Sequence, residues 1–217
     1  MSRTFEIQIA KSYGQEFRAE FLIADIYNRH YDIVFSRDMV DLDAKIEPYP
    51  DHYLIGTVDG EVVAAAGLYT EGTYVEKYGN VSRERLQEEL ERSGAADRFD
   101  PSVTVEVTKL VIHPDWSGYG LGRELFCASY SKDFLMCAHD RPPLVLCCAT
   151  QRIFESLHHS VGMHTRPLGL FPEYEVHERY RTPENPMDSR LILPGLDIPA
   201  NWWDNPLPRS IPLPEGS

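Results

Sequence analysis

The feature that most constrains this chain is a glycine-rich turn set between a long apolar strand and a helix. Residues Val103–His113 (VTVEVTKLVIH) read as the strand, and Pro114 ends it. Ser117-Gly118-Tyr119-Gly120-Leu121-Gly122 follows almost at once. A helix is expected from about Gly120 to His139, with Leu121, Leu125, Ala128 and Phe134 or Leu135 on one side. Glycine in such a turn lets the backbone approach a ligand and aim successive N–H groups at it. The helix N-terminus beside those amides favours an anion. The turn is a candidate pyrophosphate cradle; the alternative is a tight turn that needs only small residues.

The remaining elements arrange themselves around this unit. Thr4–Ala10 alternates as a first strand, and Tyr13 to about Tyr31 reads as a helix with Phe17, Phe21, Ile23, Ile26 and Tyr27 near helical spacing. A polar stretch with a second short helix is expected next, ending near Pro48 and Pro50. HYLIGTVDGEVVAAAGLY is a hairpin turned at Asp59-Gly60. Residues 71–101 form an excursion with a helix at about Ser82–Ser93, where only Leu86 and Leu90 make an apolar stripe. PLVLCCAT (Pro143–Thr150) suits a strand buried on both faces. Gln151–Val161 reads as a short helix stopped by Gly162, and Tyr174–Arg181 as a last strand. From Thr182 eight prolines fall within 36 residues, with Trp202-Trp203 among them. Proline removes backbone donors, so this tail is expected as an extended strap or partly disordered segment that docks in part. The order β, α, α, β, β, excursion, β, α, β, α, β implies an α/β or α+β sheet protein with mixed strand directions.

Two nucleotide-binding patterns fail on the residues. A Walker-type loop ends in Gly-Lys-Ser/Thr, whereas Gly122-Arg123-Glu124 stands here. A dinucleotide fold wants an acidic residue after the second strand, and Thr150-Gln151 lacks it. The segment KLVIHPDWSGYGLGRELF instead resembles motif A of the GNAT acyltransferases, L-x-V-x-P followed by R/Q-x-x-G-x-G/A. Ser117 departs from the pattern, standing where that family has Arg or Gln. QRIFESLHHSVGM resembles the family's motif B, with Gln151 at the Asn position and His158 at the usual Tyr. The two motifs span Val103–Met163.

The resemblance implies a GNAT acyl-CoA acyltransferase fold, an α/β/α sandwich around a mixed, mostly antiparallel sheet. It would occupy residues 1–181, with 71–101 inserted between the third and fourth strands and 182–217 as a proline-rich extension. It implies acetyl-CoA or another acyl-CoA as donor. Leu110, Val111 and Ile112 would lie along the pantetheine arm between splayed strands. Ser117, Gly118, Tyr119, Gly120, Leu121, Gly122, Arg123 and Gln151 would bind the cofactor. The reaction implied is attack of a primary amine on a thioester, where the amine loses a proton and the thiolate gains one. The resemblance makes Glu106 the expected base, since it lies eleven residues before the loop's first position, where several family members keep a catalytic glutamate, and a charge inside an apolar strand is costly unless used or paired; pairing with Lys109 or facing water is the alternative. His158 takes the general-acid position. Tyr119 is expected to pack rather than react.

Glu106-Val107-Thr108-Lys109 is also similar to the E-x-S-R strand of acyl-homoserine-lactone and N-acyl amino acid synthases, relatives that use acyl carriers. Asp38 and Asp41 resemble their acidic N-terminal region, while the tryptophan and several arginines of the lactone synthases are missing. This keeps open a carrier-dependent synthase with an acyl carrier protein as partner. The departures at Ser117 and His158 keep open a non-catalytic CoA-binding module.

Bulk properties narrow the rest. Net charge −13 argues against nucleic acid and anionic membrane surfaces, and suits a small-molecule amine loosely. No apolar run of membrane-spanning length occurs, and the N-terminus lacks a secretion signal, so a cytoplasmic location is expected. Cys127, Cys137, Cys147 and Cys148 are expected as buried free thiols. Together with His113 and His139 they show no metal-site spacing, so no metal is expected. The paired tryptophans could strap a neighbouring subunit, giving a homodimer.

Overall fold

A computed structural model describes residues 3–41, 44–70, 83–92, 103–140, 144–150, 189–192 and 200–214. The chain opens with β1 (Thr4–Ile9) and α1 (Tyr13–Tyr31). The Ser12 hydroxyl caps α1 by accepting from the Gln15 N–H, and Asp32 ends it in the left-handed region. The buried face of α1 carries Ala19, Leu22 and Ile23, while Phe17 and Phe21 are 55% and 67% exposed. The expected stripe therefore mixed two faces of the helix.

The second short helix expected after α1 is absent among the described residues. In its place β2 (Val34–Ser36) and β3 (Ile46–Pro48) pair in parallel. Ile33, Val34 and Phe35 alternate buried, exposed, buried, which is a period of two. The main sheet follows with β4 (His52–Val58) and β5 (Glu61–Tyr69). Asp59 and Gly60, at φ 53 and 82, make the tight turn that their sequence predicts.

Next come α2 (Arg83–Arg92), β6 (Thr104–Ile112), α3 (Leu121–Ser129), α4 (Lys132–Leu135) and β7 (Leu144–Thr150). The single helix expected to His139 breaks at Tyr130-Ser131. The Tyr130 ring is fully buried against Phe126 and Trp202, and Ser131 is extended. The chain continues with β8 (Ser189–Ile192), the single turn α5 (Ala200–Trp203) and β9 (Arg209–Pro212). The expected helix at Gln151–Val161 and strand at Tyr174–Arg181 lie outside the described residues. Of the described cysteines, Cys127 is half-buried but Cys137 is exposed, because it follows α4 at the surface.

The seven strands run in the order β8-β7-β6-β5-β4-β1-β9. All neighbours are antiparallel except β6 and β7, which are parallel. Each face carries its own core. One joins Phe5, Ile7, Leu54, Val105 and Val107 to Leu121, Leu125 and Phe126 of α3. The other joins Ile55, Ala65 and Val111 to Ala19, Leu22 and Ile23 of α1.

A bulge in β6 links the two faces. Ala65 pairs with Val111 and Gly67 with Thr108, so three steps on β6 oppose two on β5. Within it Lys109 takes φ 53, a left-handed conformation costing a non-glycine residue about 1–2 kcal/mol. The Lys109 ammonium is buried, 2.5 Å from Glu47 Oε2 and over the rings of Tyr27 (4.8 Å) and Phe35 (5.3 Å). Glu47 is itself fully buried. Pro50 packs so closely on Gly67 that a Cβ there would lie 2.3 Å from its ring. The Tyr69 hydroxyl donates to the Pro48 carbonyl at 2.8 Å. These contacts hold the strap carrying Glu47 directly above the bulge.

The tail from Ala200 contributes to the α3-side core. Trp202 is 7% exposed and meets Phe126 edge-on, β9 extends the sheet beside β1, and Arg209 donates to the Glu124 carbonyl of α3 at 2.6 Å.

Two stability predictions follow from this packing. Glu47→Leu and Lys109→Met each remove the counter-ion of a buried charge, and each is expected to lower unfolding free energy by about 3–5 kcal/mol. The double variant should lose less than the sum, measured by urea denaturation as a double-mutant cycle. Trp202→Ala should lose about 3–5 kcal/mol in the same assay; an effect under about 1 kcal/mol would mean the tail does not complete the core.

Candidate functional site

The glycine turn grows out of the end of β6. His113, whose Nδ1 accepts from the Asp115 N–H, caps a single 3-10 turn at Pro114–Trp116. The Ser117 N–H closes that turn on the Pro114 carbonyl at 3.0 Å. Gly118 and Gly120 then take φ 88 and 78, which explains why glycine stands at both. A Cβ at either would meet nothing within 4 Å, so crowding is not the reason. Gly122 differs, since a Cβ there would touch Ile112 at 3.6 Å where α3 packs on β6.

Gly120 is the N-cap of α3 and offers no side-chain cap, so the amides of the first turn are left for a ligand or water. Ser117, Gly118, Tyr119 and Gly120 are all exposed around this opening. Arg123 is exposed in the first turn, whereas Leu121 points into the core at 2% exposure. The loop is thus an open nest of donors at a helix N-terminus, suited to an anion. Glu124, acidic in the same turn, and the exposed Asp115 just before the loop oppose one.

Along β6 the sites divide by face. Leu110 and Ile112 lean on the α3-side core, and Val111 is buried on the α1 side. The ladder between β6 and β7 runs only from Thr104↔Leu144 to Val107↔Cys147. Beyond that pair both strands continue without pairing to each other, β6 to Ile112 and β7 to Thr150. A slot therefore opens beside Leu110–Ile112, starting at the Lys109 bulge.

Glu106 sits just before the slot, paired across the sheet with Tyr69 and Leu146. It is 1% exposed, which rules out the water-facing alternative. Alternation from Val105 and Val107 places it on the α1 side, the side that also holds Lys109. Lys109 itself binds Glu47, a carboxylate that sequence periodicity gave no reason to single out. Asp38 and Asp41 lie apart on the exposed turn after β2, where Asp41 caps the Ala44 N–H.

A second polar group lies near the surface of α1. Glu20 pairs with Arg37 and accepts from the Tyr53 hydroxyl at 3.1 Å, and the Arg37 guanidinium lies over Tyr49. Burial, and then the Glu20 charge, raise the Tyr53 hydroxyl's pKa, so it stays a donor. Burial first, then Glu124, push the Cys127 thiol up to about 11, which keeps it from serving as a thiolate nucleophile at neutral pH. His158 and Gln151 lie outside the described residues. Tyr119, expected to pack, sets its ring 5.9 Å from Trp116 yet stays 39% exposed.

No family model and no curated protein sequence matches the chain. Solved structures do. A CoA-dependent acyl-homoserine lactone synthase, BjaI, is similar at TM-score 0.56 and 19% identity, over 91% of this chain and 85% of that one. The AHL synthase LasI is similar at 0.50 and 15%, over 88% and 89%. FeeM, an N-acyl amino acid synthase from uncultured soil microbes, is similar at 0.50 and 10%, over 91% and 92%. At such identities the likeness concerns the fold, and by its sheet order, its two helical layers and these neighbours the chain has the GNAT acyltransferase fold.

Proposed function

We propose that the chain is an acyl-CoA-dependent N-acyltransferase that moves an acyl group, acetyl in the simplest case, onto a primary amine. The observation that carries this reading is the end of the β6–β7 ladder at Val107↔Cys147. It leaves a slot with the glycine cradle at one end and Glu106 at the other. Glu106 and Ile112 face Tyr69 and Ala64, five strand steps at about 3.3 Å each, so they lie roughly 17 Å apart, close to the reach of an extended phosphopantetheine arm. A donor held by its phosphates at Gly118–Arg123 would bring its thioester close to that carboxylate.

The chemistry is direct attack. Glu106 takes a proton from the ammonium or the attacking amine, the amine nitrogen bonds to the acyl carbon, and the C–S bond breaks. The departing CoA thiolate takes a proton from the general acid, a role proposed for His158. The high pKa of Cys127 speaks against an acyl-cysteine route through that residue. Acceptor and carrier enter as proposals: a small-molecule amine, with CoA rather than an acyl carrier protein as donor. A homodimer and a cytoplasmic location belong to the same reading. Among the described residues no helix is long and apolar enough to cross a membrane.

A second reading has a specific observation behind it. The three neighbours named above are synthases of acyl-homoserine lactones and of N-acyl amino acids, and BjaI was solved with SAM and isopentyl-CoA. Assaying acetyl-CoA and longer acyl-CoAs against simple amines, amino acids and SAM separates the two readings.

Two variants test the shared core of the proposal. Glu106→Gln should lower kcat by about 10²–10⁴ with little change in donor affinity, followed as thiol release. Gly120→Ala strains the φ 78 position and sets a methyl in the cradle, so CoA affinity by calorimetry should fall at least about tenfold. A wild-type chain that binds CoA but releases thiol with no acceptor would leave a binding module. One that binds no CoA would overturn the donor assignment.

A further inference from the structure

The outer rim of the glycine cradle carries an aromatic pair that the transfer chemistry does not use. Tyr119 stands between Gly118 and Gly120, the two residues of positive φ, so its backbone is part of the cradle. Its ring is 39% exposed and tilted 53° against Trp116 at 5.9 Å. The Arg3 guanidinium, ion-paired with Asp59 at 3.1 Å, covers the Trp116 ring at 5.8 Å, and Arg123 is exposed in the first turn of α3. Open space surrounds both glycines. A half-exposed tyrosine braced by a tryptophan, with the Arg123 guanidinium in the adjoining helix turn, is an arrangement that stacks a heteroaromatic ring and receives phosphate.

Resting on the donor reading above, we infer that Tyr119, braced by Trp116, forms a stacking platform for the adenine of the donor, with Arg123 facing its phosphates. The two donor classes differ at this point. Beyond the phosphate, free CoA continues into an adenosine, whereas a carrier-bound phosphopantetheine continues into a protein serine. A flat aromatic face beside the cradle has a partner only in the first. The platform therefore makes free acyl-CoA the donor and selects against acyl carrier protein.

The test uses the full chain and two probes, CoA and 4′-phosphopantetheine, which lacks the adenosine. The wild type should bind CoA at least about tenfold tighter than 4′-phosphopantetheine. Tyr119→Ala should remove most of that gap by weakening CoA alone, and Tyr119→Phe should keep it, since stacking needs the ring and not the hydroxyl. Binding of CoA should also quench tryptophan fluorescence in the wild type and less in Trp116→Phe. Equal affinity for the two probes, or parallel loss of both in Tyr119→Ala, would overturn the platform while leaving the cradle intact. Preference for an acyl carrier protein over CoA would overturn it as well. Failure to bind either probe would sink the donor reading together with the platform.

Discussion

The arrangement of this molecule depends on one buried ion pair, Lys109 with Glu47, set at a bulge in the central strand. The bulge shifts the register of β6 by one residue, and a one-residue shift exchanges the faces of every following side chain. Before it, Val105 and Val107 point into the α3-side core. After it, Leu110 and Ile112 do so. Lys109 and Val111 are then left on the α1 side, where Tyr27, Phe35 and Glu47 receive the ammonium. The left-handed backbone at Lys109 is unfavourable on its own, so its side-chain partners must hold it in place.

That pair also connects the layers of the site. Glu47 belongs to the strap between α1 and β4, and the strap is seated by Pro50 on Gly67 and by Tyr69 on the Pro48 carbonyl. The bulge marks where β6 stops pairing with β7, so the strap and the slot meet at the same residue. The expected base, Glu106, lies three positions before it on the same face. A change at Glu47 thus reaches the slot without touching the glycine cradle.

Much of the site was legible because its parts are local. The glycines at 118 and 120 answer a backbone need visible in the sequence, and the Asp59-Gly60 turn is equally explicit. The boundaries of α1 and β6 follow from alternation and capping. What the sequence hid is non-local. A lysine gives no sign that it will adopt φ 53, and Glu47 in Lys45-Ile46-Glu47-Pro48 gives none that it will be fully buried. The β2–β3 pair was missed because three-residue strands lie below the length at which a period can be counted. Phe17 and Phe21 misled in the opposite sense, being apolar at helical spacing yet exposed.

The tail follows the same logic of edge and core. Its prolines bar it from central positions, and β9 occupies an outer edge of the sheet, with Pro212 at its final residue. Its anchor is Trp202, whose contact with Phe126 and Tyr130 fills the space where the expected long helix breaks in two. A straight helix through Tyr130-Ser131 would carry the following residues off the sheet; the break turns Phe134 and Leu135 back into the core. Arg209 then ties β9 to the Glu124 carbonyl in α3. The helix that begins at the glycine cradle is therefore held by a segment 85 residues downstream. The helix behind the glycine turn is thus braced by a distant contact and not only by the turn's own residues.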